Sequence, residues 1–291
     1  MANELIDSHQ HFWQVGRFDY PWMTPQVDLL CRDYLPMSLE PMLRRQHVAQ
    51  TILVQASNSV DETRWLLQLA DENPFIAGVV GWVDLQSEDV GIELVEFAAH
   101  PRFKGVRHLV ESEAADDWLT QAAVINGLRM LSQRNLSYDL LVHPRHLKHA
   151  KTAVDECPEL RFVIDHLAKP PIARAEIDEW ARELKPLAAA PNVFCKLSGL
   201  VTEASHTNWR VEDFIPYVDT ALEYFGPQRL MFGSDWPVCL LAASYEQVLE
   251  LFETLLADLS DADRDLIFSK NAAEFYRVSE PGAVATGSIT C

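Results

Sequence analysis

Eight short apolar runs recur along the chain, separated by longer and more polar segments. They read ELID (4–7), TILVQA (51–56), IAGVVGWVD (76–84), FKGVRHLVE (103–111), SYDLLVH (137–143), RFVIDH (161–166), NVFCKLSG (192–199) and RLMFGSD (229–235). The runs are rich in Val, Ile and Leu, and this apolar continuity is typical of parallel strands that are covered on both faces. The pattern therefore predicts eight parallel β-strands.

The segments between these runs have the periodicity of amphipathic helices. Apolar residues recur at i, i+3 and i+4 behind acidic first turns in segments 59–73, 88–100, 116–134, 176–190, 211–225 and 244–259. Eight strands alternating with helices over about 250 residues predict an α/β fold, the (β/α)₈ or TIM barrel. No GxGxxG, GxxxxGK[ST] or GxSxG motif occurs, which disfavours a nucleotide-binding sheet and an α/β-hydrolase.

The C-terminal part of the chain adds one more helical pattern. Segment 261–276 predicts an extra helix, which we expect to pack outside the barrel. From Ser279 onward the chain is rich in Gly, Ser, Ala and Thr, which favours a loose tail over residues 279–291. The sequence therefore predicts a single barrel domain over residues 1–278.

Charge and composition narrow the class of partner. The chain has 24 Lys and Arg against 43 Asp and Glu, a formal net charge of −19, which disfavours nucleic acid and anionic membranes and favours a small molecule. The N-terminus MANELIDSHQ lacks a leader pattern and no run of about 18 apolar residues occurs, so we expect a cytoplasmic protein. The five cysteines are widely spaced without a CxxC pair, as reduced core thiols are. No pattern indicates an oligomeric state.

Reactive side chains gather at the ends of the predicted strands. The first strand leads into His9 and His11, which a strand would project to the same side, roughly 6 to 7 Å apart. Further strand ends carry Arg107, His108, His143, Asp165, His166, Lys196, Ser198 and Asp235. In a (β/α)₈ barrel these ends meet on one rim, where the active site lies. Each residue alone has an ordinary structural interpretation, but their joint occurrence on one rim indicates a functional site.

Several motifs on this rim resemble the amidohydrolase superfamily. They are the HxH pair at the first strand, IDHLAKPP at 164–171 and FGSDWPV at 232–238. CKLSGLVTEA at 195–204 and LMFGSDWPVC at 230–239 are similar to its sugar-lactonase branch, the L-fuconolactonase and L-rhamnonolactonase relatives. The resemblance runs from about residue 4 to residue 277. It implies a barrel hydrolase that opens an L-fuconolactone-like aldonolactone to the aldonic acid, in L-fucose catabolism.

The resemblance leaves the metal content open. Binuclear members carry a bridging lysine on strand 4, whereas this strand reads GVRHLVE and Lys104 lies too early, so no two-metal site is expected. A single divalent ion such as zinc can be held by His9, His11 and Asp235, with His143 or His166 as a further candidate ligand, because neutral imidazoles and a carboxylate suit zinc. Lactonases of this branch can also act without metal. We favour no obligatory metal, because a general base and an oxyanion donor together contribute on the order of 10⁴- to 10⁷-fold, enough for a lactone.

The rim residues suggest a hydrolytic mechanism centred on Asp235. We expect Asp235 to take a proton from the water that attacks the lactone carbonyl. His9, His11 and His166 would hold this water and polarise the carbonyl oxygen. Asp165 directly precedes His166 and is expected to point the other way as a structural residue.

Substrate contacts are expected near the same rim. Arg107 and His108 lie on opposite faces of one strand, and the sequence leaves open which of them enters the pocket, although Arg107 is favoured as a donor to sugar hydroxyls. His143 is a further candidate. Trp13 and Trp236 follow strand ends, where an aromatic face can cover the apolar side of a sugar ring.

Two other functions are compatible with these residues. A metal-dependent decarboxylase, or another hydrolase of the superfamily acting on a small carboxylated substrate, would share the HxH pair and Asp235. The decarboxylase would release carbon dioxide and lose its activity on chelation. A binding protein without turnover is the second alternative, and it would keep its ligand affinity in an Asp235→Asn variant.

Overall fold

The fold is an eight-stranded parallel barrel surrounded by helices. A computed structural model describes residues 5–279 of the chain. The strands are β1 (Leu5–Gln10), β2 (Val48–Val54), β3 (Ile76–Gly81), β4 (Phe103–His108), β5 (Ser137–Leu140), β6 (Arg161–Ile164), β7 (Val193–Leu197) and β8 (Leu230–Phe232). They pair in sequence order, each parallel to the next. The predicted (β/α)₈ barrel is confirmed, and residues 280–291 of the predicted tail lie outside the described residues.

Helices follow the strands and cover the outside of the barrel. They are α1 (Pro36–Arg45), α2 (Val60–Glu72), α3 (Val90–Ala98), α4 (Ala122–Ser132), α5 (Leu147–Glu156), α6 (Asp178–Ala188), α7 (Leu200–Glu203), α8 (Ile215–Phe225), α9 (Tyr245–Leu255), α10 (Asp261–Asp265) and α11 (Asn271–Tyr276). The apolar periodicity does not predict α1, which begins at Pro36 and contains Pro41. Within residues 5–279, no helix has both the length and the apolar character that a membrane span requires.

The barrel closes where the segment after β8 meets β1. The Asp235 backbone N–H donates to the His9 carbonyl at 2.8 Å, and the His11 backbone N–H donates to the Trp236 carbonyl at 2.7 Å. These two bonds continue the parallel hydrogen-bonding pattern beyond the end of the last strand. They place Asp235 directly beside the two histidines.

A buried carboxylate reinforces this closure. Asp7 accepts hydrogen bonds from the backbone N–H and the hydroxyl of Ser234, at 2.8 and 2.6 Å, and from the Tyr245 hydroxyl at 3.2 Å. It also accepts the backbone N–H of His9 at 3.1 Å. Burial raises the pKa of Asp7 to about 6. One side chain thus ties the first strand to the segment that carries Asp235.

The C-terminal helix closes the opposite end of the barrel, which corrects the expectation that it packs outside. A π-helical turn separates α10 from α11. Arg161, the first residue of β6, donates to the Glu274 carbonyl at 3.3 Å, so α11 lies where the strands begin. Side chains of α11 pack there against inward-facing strand residues; the cluster is Ile6, Ile52, Val54, Val80, Val163, Met231, Ala272, Ala273, Phe275 and Tyr276.

Candidate active site

A cavity opens at the end of the barrel where the strands terminate. Its volume is about 230 Å³. Its polar lining consists of His11, Arg107, Glu111, His166, Lys169, Thr202 and Asp235. Aromatic and aliphatic side chains, among them Trp13, Trp22, Leu30 and Leu241, line the remaining wall. A cavity with both kinds of wall suits a small polar molecule that has an apolar edge.

Asp235 stands among three imidazoles at this cavity. Its Oδ1 atom lies 3.4 Å from His11 Nε2, and 3.8 Å from both His9 Nε2 and His166 Nε2. The residue has a φ of 57°, a left-handed conformation that is uncommon for side chains other than glycine and that clusters at functional sites. Burial alone would raise the pKa of Asp235, but His166 and His11 hold it well below its usual value. Asp235 is therefore an ionised carboxylate at neutral pH.

The two histidines of the HxH pair face each other. His9 Nε2 and His11 Nε2 are 3.1 Å apart, so both rings lie on one side, although β1 ends at Gln10 between them. His11 Nδ1 lies 2.8 Å from the Val54 carbonyl oxygen. Burial lowers the pKa values of His9, His11 and His166, so that all three rings are neutral at neutral pH.

A left-handed turn places His166 and Lys169. Residues 166–169 have consecutive positive φ values of 55°, 52°, 60° and 53°, a conformation that L-residues rarely repeat. The turn brings His166 Nδ1 to 2.8 Å from Ser198 Oγ. Gly199 packs so closely that a Cβ there would lie 2.5 Å from His166 Nδ1, so only glycine fits. The position of the His166 ring is thus determined on both sides.

Lys169 and Glu111 form an ion pair on the cavity wall, which the sequence does not predict. Lys169 Nζ lies 2.6 Å from Glu111 Oε2, and His143 Nε2 lies 3.6 Å from the same oxygen. Burial raises the pKa of Glu111, but the charge and the hydrogen bond of Lys169, with smaller contributions from His143 and His166, together lower this pKa overall. Both residues lie three or more positions beyond a strand end. A search for charged residues up to five positions beyond each strand end would have identified Glu111 and Lys169 as candidates.

On strand β4 the side chain of Arg107 points to the cavity, whereas that of His108 points away from it. Arg107 lines the cavity, and its Nη1 donates to Asp165 Oδ2 at 3.1 Å. His108 accepts a hydrogen bond from Trp82 Nε1 at 3.0 Å, and its ring stacks on Trp118 with 3.9 Å between centroids. The prediction of His108 as a substrate contact is therefore corrected, because neighbouring side chains on a strand point to opposite faces and only that of Arg107 faces the cavity.

Asp165 also departs from the sequence expectation, because it faces the interior network. Its Oδ1 lies 3.3 Å from His9 Nδ1 and 2.9 Å from Lys196 Nζ. Strand β6 ends at Ile164, so strand alternation no longer describes the direction of the next side chain. Burial raises the pKa of Asp165, but Lys196 and His9 hold it well below its usual value. Asp165 is a buried anion directly behind the HxH pair.

The remaining predicted contacts are divided between the cavity and its surroundings. Trp13 lines the cavity, whereas His143 lines a neighbouring cleft. Trp236 is only 1% exposed, and its ring packs edge-on against Phe12 and Tyr34, with centroids 5.9 and 5.3 Å away. A ring covered in this way cannot stack on a sugar, so the predicted role of Trp236 is corrected.

The residues of the HxH pair and Asp235 fit a single zinc ion. The three ligand atoms, His9 Nε2, His11 Nε2 and Asp235 Oδ1, are separated by 3.1, 3.4 and 3.8 Å. Three ligands of a tetrahedral zinc ion, each about 2.0 to 2.1 Å from the metal, lie roughly 3.3 to 3.4 Å from one another. Lys104 lies near the start of β4 and donates to the Arg277 carbonyl, at the far end of the barrel from a bridging position.

Comparison with known proteins gives consistent matches over nearly the whole chain. Residues 6–278 match the amidohydrolase family. L-fucono-1,5-lactonases from Burkholderia ambifaria and Burkholderia multivorans are each 40% identical to this chain over 95% of its length, and the match covers 96% and 97% of those proteins. A solved structure of a Burkholderia multivorans amidohydrolase with bound zinc is 40% identical to this chain and superimposes with a TM-score of 0.90. The match covers 95% of this chain and 100% of the solved chain.

Proposed function

Because the chain belongs to the amidohydrolase family, we propose that it hydrolyses a sugar lactone to the aldonic acid, with L-fucono-1,5-lactone as the preferred substrate. The two lactonases that are 40% identical to it support this assignment. The observation that carries it is the Asp235 carboxylate at the cavity, with its Oδ1 3.4 Å from His11 Nε2. An ionised carboxylate beside neutral imidazoles can activate water for attack on an ester.

Asp235 acts as the general base in this mechanism. It takes a proton from a water molecule, whose oxygen attacks the carbonyl carbon of the lactone. The Arg107 guanidinium stabilises the developing oxyanion, because the proton of the neutral His11 ring faces the Val54 carbonyl and His9 does not line the cavity. In support, Arg107 lines the cavity, and its buried Nε has no hydrogen-bond partner within residues 5–279. The bond to the ring oxygen then breaks, and the proton on Asp235 passes to that oxygen, which gives the open hydroxy acid.

The two kinds of cavity wall suit the lactone of a deoxy sugar. Glu111 and Lys169 can bind ring hydroxyls, because a carboxylate accepts and an ammonium group donates hydrogen bonds. Trp22, Val27 and Leu241, which line the cavity and are partly exposed, offer apolar surface. A 6-deoxyaldonolactone carries several hydroxyls, which suit the polar wall, and one methyl group, which suits the apolar wall. We assign its hydroxyls to the ion pair and its methyl group to the aromatic side.

We also propose that no metal is obligatory. His9, His11 and Asp235 would hold a single zinc ion, which, when bound, would polarise the carbonyl and lower the pKa of water. Without it, the base and the oxyanion donors contribute on the order of 10⁴- to 10⁷-fold, which suffices for a lactone. Protein treated with a chelator is expected to keep most of its turnover. A complete loss that added zinc restores would contradict this proposal.

A panel of aldonolactones tests the function. Hydrolysis of L-fucono-1,5-lactone, followed as acid release with a pH indicator, is expected to be fastest. The matched lactone with a hydroxymethyl group in place of the methyl group should be slower, because its extra hydroxyl meets an apolar wall. Activity confined to carboxylated aromatics, with release of carbon dioxide, would support the decarboxylase instead. We place the reaction in cytoplasmic L-fucose catabolism.

A further inference from the structure

His108 does not line the cavity, yet contacts on three sides fix its ring. The ring is buried and stacks on Trp118, with 3.9 Å between centroids and 8° between the ring planes. Trp82 Nε1 donates to His108 Nδ1 at 3.0 Å, and His108 Nε2 lies 2.7 Å from Glu113 Oε1. Neither His108 nor Glu113 has a part in the mechanism, although the chain between them carries Glu111, a residue of the cavity wall.

The donors and acceptors around His108 leave one arrangement of hydrogens. An indole N–H can only donate, so His108 Nδ1 accepts from Trp82 and carries no proton. The proton of the neutral ring is then on Nε2, where it donates to the Glu113 carboxylate. A second proton on Nδ1 would face the indole N–H, and burial also lowers the pKa of His108, so the ring is neutral at neutral pH. His108 therefore joins Trp82 to Glu113 through two directed hydrogen bonds.

Both tryptophans beside His108 are themselves anchored. The Trp82 backbone N–H donates to Thr63 Oγ1 at 2.8 Å, and the Trp82 carbonyl accepts from the same hydroxyl at 2.9 Å. Trp118 is buried, and its Nε1 donates to Gln86 Oε1 at 3.2 Å. His108 thus belongs to the fixed part of the barrel and not to the turn that follows it.

The turn after β4 is attached to the rest of the protein at both ends. Residues 110–112 form a single 3₁₀ turn. At its start, the Leu109 backbone N–H donates to Asn58 Oδ1 at 3.3 Å, and at its end Glu113 accepts from His108. A turn this short has no core of its own, so these attachments determine its position.

Between the two ends, the turn presents Glu111 to the cavity. Glu111 Oε2 lies 2.6 Å from Lys169 Nζ, and Arg145 Nη2 donates to the Glu111 carbonyl at 3.2 Å. Asn58 and Arg145 are exposed, whereas His108 is buried. Of the three residues that hold this turn, His108 is therefore the one anchored in the interior.

We propose that His108 is a positioning residue for substrate recognition, which acts through Glu113 to hold the turn that presents Glu111 to the substrate. The inference rests on the proposed function, in which Glu111 and Lys169 bind sugar hydroxyls. Because Asp235 and the reacting carbonyl lie apart from this turn, the loss of the His108–Glu113 hydrogen bond weakens binding and leaves the chemical step unchanged.

Two amide variants separate the two hydrogen bonds of His108. In His108→Gln the amide nitrogen takes the place of Nε2 and still donates to Glu113, whereas in His108→Asn the amide oxygen takes the place of Nδ1 and only the bond from Trp82 is kept. Both variants lose the stacked ring, so that loss cancels in the comparison. KM for L-fucono-1,5-lactone should be about 3- to 10-fold higher in His108→Asn than in His108→Gln, with kcat values that agree within about twofold. Equal KM values, or a difference confined to kcat, would overturn the proposal.

A variant at Glu113 tests the same hydrogen bond from the surface. The Glu113 side chain is 34% exposed, so Glu113→Ala removes the acceptor and leaves the interior intact. KM should again rise by about 3- to 10-fold, and combining this variant with His108→Asn should add no further increase, because both remove one shared bond. Glu88→Ala, at an exposed side chain before α3, is the matched control and should leave KM unchanged. Equal KM values for Glu113→Ala and Glu88→Ala would overturn the proposal.

Hydrogen exchange tests the attachment of the turn without any substrate. The Ser112 backbone N–H donates to the Leu109 carbonyl at 3.0 Å. The Glu113 backbone N–H donates to the Val110 carbonyl at 3.1 Å. Both amides should exchange at least about 5-fold faster in His108→Asn than in His108→Gln, measured by NMR. Equal exchange rates would overturn the proposal. Unmodified protein that hydrolyses no lactone would refute the proposed function instead, and the exchange rates would still decide whether His108 holds the turn.

Discussion

At the scale of single residues, the proposed mechanism depends most on Asp235. Replacing Asp235 with Asn keeps its shape and removes the proton acceptor, so we expect kcat on L-fucono-1,5-lactone to fall by about 10²- to 10⁴-fold while KM changes little. Initial rates measured with a pH indicator check this. Turnover close to that of the unmodified protein would exclude Asp235 as the base.

The Glu111–Lys169 pair is expected to recognise the substrate. In the Lys169→Met variant the hydroxyl donor is lost and Glu111 is left unpaired in the cavity wall, so kcat/KM should fall by about 10- to 100-fold, mainly through KM. Steady-state kinetics measure the split between the two constants. The matched control is Lys148→Met, at an exposed side chain of α5, which should leave both constants unchanged. An equal effect of the two variants would refute a direct role for Lys169.

At the scale of elements, helix α2 is tied to the end of β2 through Glu62. Its buried Oε2 accepts the backbone N–H groups of Ala56 and Ser57, at 3.0 and 2.8 Å. Burial is the largest influence on this carboxyl and raises its pKa from 4.5 to about 7. Because the folded state holds the proton more tightly than the unfolded state, the stability it contributes is complete below 4.5 and is lost as the pH rises through about 7.

Comparison with a Glu62→Gln variant isolates this effect. Between about pH 5 and about pH 8.5, the unmodified protein should lose roughly 2 to 3 kcal/mol of unfolding free energy relative to the variant. Urea unfolding at the two pH values measures it. A difference between the two proteins that stays constant with pH would show that Glu62 ionises normally.

Some elements can be predicted from the sequence and others cannot. Continuous apolar runs identify all eight strands, because a strand covered on both faces must be apolar throughout. The left-handed turn over 166–169 has no such signal, since its Leu and Ala side chains favour negative φ and only tertiary contacts impose the turn. The contact between Lys196 and Asp139 is likewise invisible, because the two residues are 57 positions apart and each is charged.

At the scale of the whole molecule, α11 completes the core. Phe275 is 1% exposed and packs against Phe194 with 5.0 Å between ring centroids. Phe275→Ala should lower the free energy of unfolding by about 3 to 5 kcal/mol, because it leaves a cavity under the barrel. Ile92→Ala on α3, at a side chain that is 69% exposed, is the control and should change it by less than about 0.5 kcal/mol. Similar values for both variants in denaturant titrations would mean that α11 is not part of the cooperative core.

The interior also explains why composition is a poor guide to the site. The formal net charge of −19 describes the whole chain, yet the charges behind the HxH pair balance locally: Arg107 and Lys196 stand against Asp139 and Asp165. Buried charges of one sign alone would be too costly, so each requires a partner in the fold. The net charge of the chain therefore helps to predict which partners its surface can bind, but it does not reveal this buried network of charges.

The position of α11 has a consequence for how the protein is made. The strands begin with Leu5, but the helix that covers their starting ends extends to Tyr276, whose hydroxyl reaches Asp139. During synthesis on the ribosome, apolar residues such as Ile6 and Ile52 lack this cover until α11 has left the exit tunnel. Folding intermediates that form before α11 is synthesised therefore expose this apolar surface, and such surface makes intermediates prone to aggregation.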